Sequence, residues 1–385
     1  MNEEVIYLDN NSTTAVDDRV IEVMLPFFKT NYGNASSTHF YGLETKKAIE
    51  NSREIISSFI NCDSKEIIFT SGATESINIA LKGIALNPNN NKKHIITLQT
   101  EHKAVLDTCK YLETVGFDVD YLPVNNDGLL DLNKLIETIR EDTFLVCIMW
   151  VNNETGVIQP IKEIGTIAKA NNILFMTDAT QAVGKLPIDL MEYNSIDLLC
   201  FSAHKFYGPK GIGALYINSE TISKSNISPL LHGGGHELSL RSGTLNVPAI
   251  VGFAMACQIA SLEMESNHNY IKNLRDILEN ELLKIEGAFI NGNKEQRLYN
   301  TTNICFPNFD ANIFINKYKT IAVSNGSACT SALVVPSHVL IAMGLNDNYS
   351  LGSLRISLGH NNDETDIEKM IEVIQLECKN GSSLL

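Results

Sequence analysis

The sequence predicts an α/β protein: a mainly parallel sheet flanked by helices, joined to a smaller α+β unit. Three observations lead there. Short apolar runs alternate with helix-spaced segments over roughly the first two thirds of the chain. Polar turns, several of them glycine-containing, close most of those runs. After about residue 250 the alternation stops and a long helical stretch begins.

In chain order, "AIENSREIISSFI" has helical spacing and "EIIFTSG" reads as a short buried strand ending in a turn. "ATESINIALKGIAL" is helical again. The runs "HIITLQT", "DVDYLPV", "TFLVCIMWV", "ILFMTDA", "IDLLCFSA" and "GIGALYI" are strand candidates. Between them lie the helical segments "AVLDTCKYLETVG", "LNKLIETIR" and "IKEIGTIAKA". Helical crossovers of this kind join parallel strands and cover both faces of their sheet. A long helical stretch, "PAIVGFAMACQIASLEMESNHNYIKNLRDILENELLKIEG", follows with no strand signal. Then come "TTNICFP", "LGSLRISLG" and a closing helix, "ETDIEKMIEVIQLEC". The chain has 385 residues, more than one compact core usually takes. The expected division is a large unit over 14–255 and a small one over 1–13 and 256–385.

Composition narrows the function classes. Hydrophobic residues make up 44% and charged residues 19%, as in ordinary globular proteins. A formal net charge of -15 argues against general nucleic-acid binding. The N-terminal "MNEEVIYLDNNSTT" lacks the basic and apolar regions of a secretory signal. No apolar run reads as a membrane span of ~20 residues. Eight cysteines, at 62, 109, 147, 200, 257, 305, 329 and 378, are scattered without a C-x-x-C pair. That pattern suggests neither a disulfide framework nor a metal site. The expectation is a reduced, cytoplasmic protein without membrane or direct nucleic-acid contacts.

Several polar clusters fall at strand ends, where open α/β sheets bind ligands. In "TSGATES", Gly72, Ala73 and Thr74 would open a helix whose unpaired N–H groups can hold a phosphate. A plain cap by Ser71 or Thr74 is the simpler explanation. His102 lies in "TEH" and Asn153 in "NNETG". Asp178 and Gln181 follow "ILFMT", and an acid at the end of a buried strand needs a cation. "SAHKFYGPKG" brings Ser202, His204 and Lys205 directly after another buried strand. Lysine is rare there because it prefers full solvation. Lys205 and Asp178 together suggest pyridoxal 5′-phosphate, which needs a lysine for its Schiff base, an acid for its ring nitrogen and an anion site. A nucleotide-binding domain is the rival, but neither G-x-G-x-x-G nor G-x-x-x-x-G-K-[ST] is present.

The motifs "YLDNNSTT", "FTSGATES", "TEHKAVL", "VNNETG", "TDATQAVGK", "SAHKFYGPKGIGALY", "LRSGTLNVP" and "NGSACTS" occur in that order. In this series the chain resembles the cysteine desulfurases of the NifS/IscS type, which are fold-type I, class V aminotransferase-like pyridoxal-phosphate enzymes. The resemblance covers nearly the whole chain. It implies a seven-stranded type of large-domain sheet, with Lys205 as the Schiff-base lysine. It also implies Asp178 on the pyridinium nitrogen, Gln181 on the phenolic oxygen, and His102 stacked over the ring as proton shuttle. Ala73, Thr74, Ser202 and His204 would bind phosphate. Thr244 would reach the phosphate of a neighbouring subunit in a homodimer. Asn153 and Arg355 would hold the carboxylate of L-cysteine, and Asn153 would also lie against the cofactor.

Two departures stand out. IscS-type members usually have arginine where this chain has His360. They also often carry a longer C-terminal tail that meets a scaffold protein, whereas this sequence stops soon after "IQLECKNGSSLL".

Cys329 sits among small residues in "NGSACTS". Alone, such a cysteine is more often an inert packed thiol. With the resemblance it becomes the expected nucleophile: L-cysteine gives L-alanine, and Cys329 takes the sulfur as a persulfide for an acceptor. The acceptor would be an iron–sulfur scaffold protein or a thiolation enzyme. The other seven cysteines are expected to pack inside strands or helices, with Cys147 and Cys200 inert. A selenocysteine lyase or class V aminotransferase of the same fold is one alternative. A non-catalytic sulfur-carrier subunit is another. Lys205 and Cys329 argue against the carrier, and Cys329 against the aminotransferase.

Overall fold

The computed structural model describes residues 5–224, 227–326 and 335–381. Its strands, in chain order, are β1 (Ile6–Tyr7), β2 (Ile67–Thr70), β3 (His94–Leu98), β4 (Asp118–Leu122), β5 (Thr143–Cys147) and β6 (Leu174–Asp178). They continue as β7 (Leu198–Ser202), β8 (Gly213–Ile217), β9 (Phe289–Ile290), β10 (Thr301–Cys305), β11 (Ile321–Ala322) and β12 (Ser353–Ser357).

A seven-stranded sheet has the order β2-β8-β7-β6-β5-β3-β4. Only β8 runs against its neighbours, β2 and β7; the other pairs are parallel. The expected mainly parallel sheet is therefore present. Strands β2, β3, β5, β7 and β8 are buried at every residue, which explains why they read as continuous apolar runs. Edge strand β4 instead alternates, with Asp118 and Asp120 exposed, which discourages pairing with another chain.

Side chains divide between the faces with period two. Phe69, Ile96, Val146, Phe175 and Phe201 share a core with Ile49, Ile56 and Phe253. Their neighbours Ile68, Ile95, Leu145, Met176 and Cys200 pack on the other side with Ile77, Leu81, Val105 and Leu112. The helix Ile161–Ala170 illustrates the covering layer: Ile161, Ile164, Gly165 and Ala168 form its buried stripe.

A second, antiparallel sheet has the order β12-β10-β9. It shares a core with Leu274, Leu278, Leu282, Ile367, Met370 and Ile374. The helix Val247–Leu282, 36 residues long, serves both cores. Ile250, Phe253 and Cys257 join the large one; Ile271, Leu274 and Leu278 join the small one. A division at 255/256 falls inside this helix. Its apolar part is long enough by composition to cross a membrane, yet half of that window is buried within the fold.

One connection was not expected from the sequence. β1 pairs in parallel with β11, and the following residues cross to the large sheet. Asn10 N donates to Ser357 O at 3.1 Å, and Thr14 N to His204 O at 3.0 Å. Residues 6–17 thereby stitch the two sheets together, with Asp17 N donating to Tyr207 O at 3.0 Å.

Candidate active site

The parallel strands gather their carboxyl ends along one edge of the large sheet, and most of the side chains singled out above follow those ends. Asp178 closes β6 and is 5% exposed. Its Oδ1 accepts from Thr180 N at 3.0 Å and from Cys200 Sγ at 3.5 Å. Among the described residues, no lysine, arginine or histidine forms an ion pair with it. A buried carboxylate without a cation is costly, so this group suits a cationic ring nitrogen.

Lys205 lies at the end of the 3-10 turn Ala203–Lys205, directly after β7. Its Nζ donates to Asn11 O at 2.7 Å and Ser12 O at 2.8 Å. Burial pushes its pKa down to about 8, Arg355 adds to the shift, and Asp178 and Asp9 oppose it. An amine so tuned loses its proton readily and can form a Schiff base near neutral pH.

Gln181 Nε2 donates to Asn11 O at 2.8 Å, and its Oε1 accepts from Lys185 Nζ at 2.6 Å. Lys185 is buried and also reaches Asn11 Oδ1 at 3.4 Å. Burial lowers its pKa to about 7, with Lys205 and Arg355 contributing.

At the phosphate-type site, the helix Ala73–Ala85 begins after Gly72, which has φ +151° and no side-chain cap. The simpler capping explanation by Ser71 or Thr74 does not hold. Ser202 Oγ instead accepts from Ala73 N at 2.7 Å, and Glu75 accepts from Ser71 N at 2.6 Å. Ala73 and Ser202 are thus brought together, and Thr74 stays exposed. His204 pairs with Thr13 Oγ1 at 3.1 Å, and burial lowers its pKa to about 4. Thr244 is exposed, three residues after Arg241, which pairs with Glu75 at 2.8 Å.

His102 caps the helix Lys103–Thr114 through Nδ1, which accepts from Ala104 N at 3.1 Å. The neutral ring then carries its proton on Nε2. Desolvation lowers its pKa; Asp178 opposes and Lys205 assists. On the small-sheet side, Arg355 in β12 is 4% exposed. Its Nη2 donates to Asp9 Oδ1 and Ser12 Oγ, both at 2.6 Å. Its Nη1 donates to Asn153 O at 3.1 Å, while the buried Nε has no partner. Where the resemblance puts arginine, His360 stacks on Tyr207 with ring centroids 3.8 Å apart. Cys329 lies outside the described residues.

The aminotransferase class-V family matches residues 6–370 of the chain. The chain belongs to that family. It is 48% identical over 373 residues to the cysteine desulfurase IscS of Pasteurella multocida, covering 96% of this chain and 92% of that one. A solved NifS-like protein superposes with a TM-score of 0.90 at 41% identity, covering 99% of this chain and 100% of that one. The structure of SspA in complex with cysteine gives a TM-score of 0.81 at 38% identity, with coverage of 92% and 98%.

Family members are pyridoxal-phosphate enzymes, and the residues present fit that cofactor. They offer a depressed lysine, a buried acid without an ion-pair partner, and a helix start beside a serine. The sequence reading missed Asp9, Asn11 and Lys185, which bond to Arg355, Lys205 and Gln181 respectively. Asn11 is the node: it contacts Gln181, Lys185, Lys205, Thr301 and Asn300. The polar run "DNNSTT" after a short strand was the available signal. Glu101 is fully buried, accepts from Met149 N at 2.7 Å, and has its pKa raised by burial.

Proposed function

We propose that the protein is a pyridoxal-phosphate-dependent cysteine desulfurase that converts L-cysteine to L-alanine and transfers the sulfur to Cys329. The main support is that two chemistries meet at one loop: Lys205 Nζ donates to Asn11 O and Ser12 O, and Arg355 Nη2 donates to Ser12 Oγ. Lys205 and Asp178 stand at large-sheet strand ends, and Arg355 stands in the small sheet. The names of the relatives point the same way.

Pyridoxal phosphate, when bound, supplies the electron sink that lets bonds at the substrate's Cα and Cβ break. Lys205 Nζ, held by Asn11 O and Ser12 O, is the attachment amine and a proton carrier. The Asp178 carboxylate holds positive charge on the ring nitrogen. His102, whose Nδ1 accepts from Ala104 N and whose pKa burial lowers, presents Nε2 as a proton carrier for the transfer. Ala73 N, Thr74, Ser202 and His204 hold the phosphate.

Arg355 and Asn153 hold the substrate carboxylate. The unpartnered Arg355 Nε is a donor already desolvated for that purpose. Sulfur transfer breaks the substrate Cβ–S bond and forms an S–S bond on Cys329. The sulfur is oxidised, Cβ is reduced, and the thiol proton returns to carbon.

The described cysteines support Cys329 as acceptor. Burial pushes Cys109 up to about 12 and Cys305 and Cys378 up to about 11. It raises Cys62, Cys147, Cys200 and Cys257 as well, so none of the seven is a ready thiolate. Six lie in strands or helices, whereas Cys62 sits in a turn.

The further reading is a cytoplasmic homodimer in which exposed Thr244 completes the partner's phosphate site. We also read the two cores as two domains meeting at the candidate site. The persulfide passes to an iron–sulfur scaffold or thiolation enzyme. The test is product analysis with L-cysteine and a thiol reductant. Alanine and sulfide should form in equal amounts. Amino transfer to a 2-oxo acid without sulfide would sink the desulfurase reading.

A further inference from the structure

The Cys329 segment is flanked by Gly326 and Ser337, and both converge on one side chain that no step above uses. Glu154 follows Asn153 in "NNETG" and is 2% exposed. Its Oε2 accepts from Ser337 Oγ at 2.5 Å. Ser337 is fixed further: its N donates to Ser350 Oγ at 2.9 Å, and its Oγ accepts from Leu340 N at 3.2 Å. The neighbouring His338 Nε2 lies 3.0 Å from Glu101 O, the residue before His102.

On the other flank, Gly326 packs directly against the same carboxylate. A Cβ built there would overlap Glu154 Oε2 and approach its Cδ to 2.8 Å. Gly326 also has φ +82°, which disfavours any side chain. Its N donates to Ser324 Oγ at 3.1 Å, and Ser324 exchanges backbone bonds with Arg355 at 3.2 and 2.6 Å.

Glu154 is itself held rigidly. Its N donates to Asn152 Oδ1 at 2.9 Å and its O accepts from Asn303 Nδ2 at 3.2 Å. A buried carboxylate is an expensive choice for mere filling, since an apolar side chain would pack there without desolvation. Burial raises its pKa to about 7, against the Ser337 bond and the charges of Arg355 and Lys103.

We propose that Glu154 is a positioning residue that fixes both flanks of the Cys329 segment relative to the Arg355 wall of the substrate site. The inference rests on the reading of Cys329 as sulfur acceptor. A misplacement of ~1 Å costs about 100-fold in a reaction that depends on approach geometry.

The test compares holoenzymes carrying Glu154→Ala, Glu154→Gln, Ser337→Ala and the Glu154→Ala/Ser337→Ala pair. Mass spectrometry follows sulfur appearing on Cys329 after L-cysteine is added, and hydrogen exchange follows residues 321–326 and 335–343. Glu154→Ala should slow persulfide formation by ~10–100-fold with cofactor absorbance and KM unchanged. Glu154→Gln keeps an oxygen acceptor for Ser337 and should restore the rate to within about threefold. Ser337→Ala should slow it in the same direction, and the pair should be no worse than Glu154→Ala alone. Exchange should rise at both flanks in Glu154→Ala.

A wild-type rate in Glu154→Ala, or equal damage in Glu154→Gln, would overturn the proposal. So would loss that tracks KM or cofactor content. If wild-type Cys329 never gains sulfur, the reading of the acceptor fails on its own. The exchange data then still judge the clasp, and unchanged flanks would refute it. Should Glu154→Ala not fold, a wild-type rate and unchanged exchange in Ser337→Ala would refute it too.

Discussion

The two sheets contribute to the candidate site in different ways. The seven-stranded sheet delivers Asp178, Ser202 and Lys205 from strand ends buried between two layers of side chains. Those groups are fixed by the fold itself. The three-stranded sheet delivers Arg355 from mid-strand and ties Ser324, the root of the Cys329 segment, to that arginine. On the proposed function, the small sheet contributes Arg355, the residue proposed to meet the substrate.

Removing a strand-end group should break the chemistry outright. Lys205→Ala should lower alanine release by on the order of 10⁴-fold or more, as for other covalent catalytic groups. Borohydride reduction of the wild-type holoenzyme should label Lys205, and the variant should show no label. Retained labelling on another lysine would move the site away from β7.

Glu237 sharpens the structural side. Its carboxylate is paired with Arg53 at 2.7 Å and accepts from Phe69 N at 2.7 Å, fastening the β2 edge of the large sheet. Glu237→Ala leaves the buried Phe69 N–H without its acceptor and Arg53 with only Ile67 O and Glu50, and should cost about 1–3 kcal/mol in chemical denaturation. A change below ~1 kcal/mol would mean that solvent screens the pair.

Arg355 probes the other sheet. Arg355→Lys cannot reproduce the planar fork, so KM for L-cysteine should rise ~10–100-fold. The cofactor spectrum should not change, because the large sheet holds the cofactor. An unchanged KM would take Arg355 out of the substrate site.

The smallest expected effect concerns Lys185. Its folded pKa, about 7, lies below the ordinary lysine value of 10.5. The folded state therefore sheds a proton that the unfolded chain keeps, and stability rises with pH between those two values. The wild type should gain on Lys185→Met as pH climbs from about 7 towards 9, measured by thermal unfolding of the apoprotein. A constant difference across that range would mean that Lys185 stays charged in the fold.

Most of the large sheet was legible because its strands are buried on both faces and end in polar turns, as at "ILFMTDA" and "IDLLCFSA". The two-residue pair β1/β11 was not legible, since two residues carry no period and their partners lie over 300 positions apart. In the site, Lys205 and Asp178 announced themselves as charges after apolar runs. Asn11 and Glu154 did not. Their importance comes from contacts made across the chain, such as Asn11 with Lys205 and Glu154 with Ser337. The family resemblance supplied roles for residues like Thr244, whose exposed side chain has no local signature.

The central claim is that the chemistry proposed for Lys205 and Asp178 ends on the thiol of Cys329. Single turnover of the holoenzyme with one equivalent of L-cysteine and no reductant, followed by peptide mass spectrometry, tests it most directly. The account predicts one added sulfur on the Cys329 peptide and one alanine released, and neither in Cys329→Ser. Sulfur on any of the other seven cysteines, or normal alanine and sulfide release by Cys329→Ser, would contradict it.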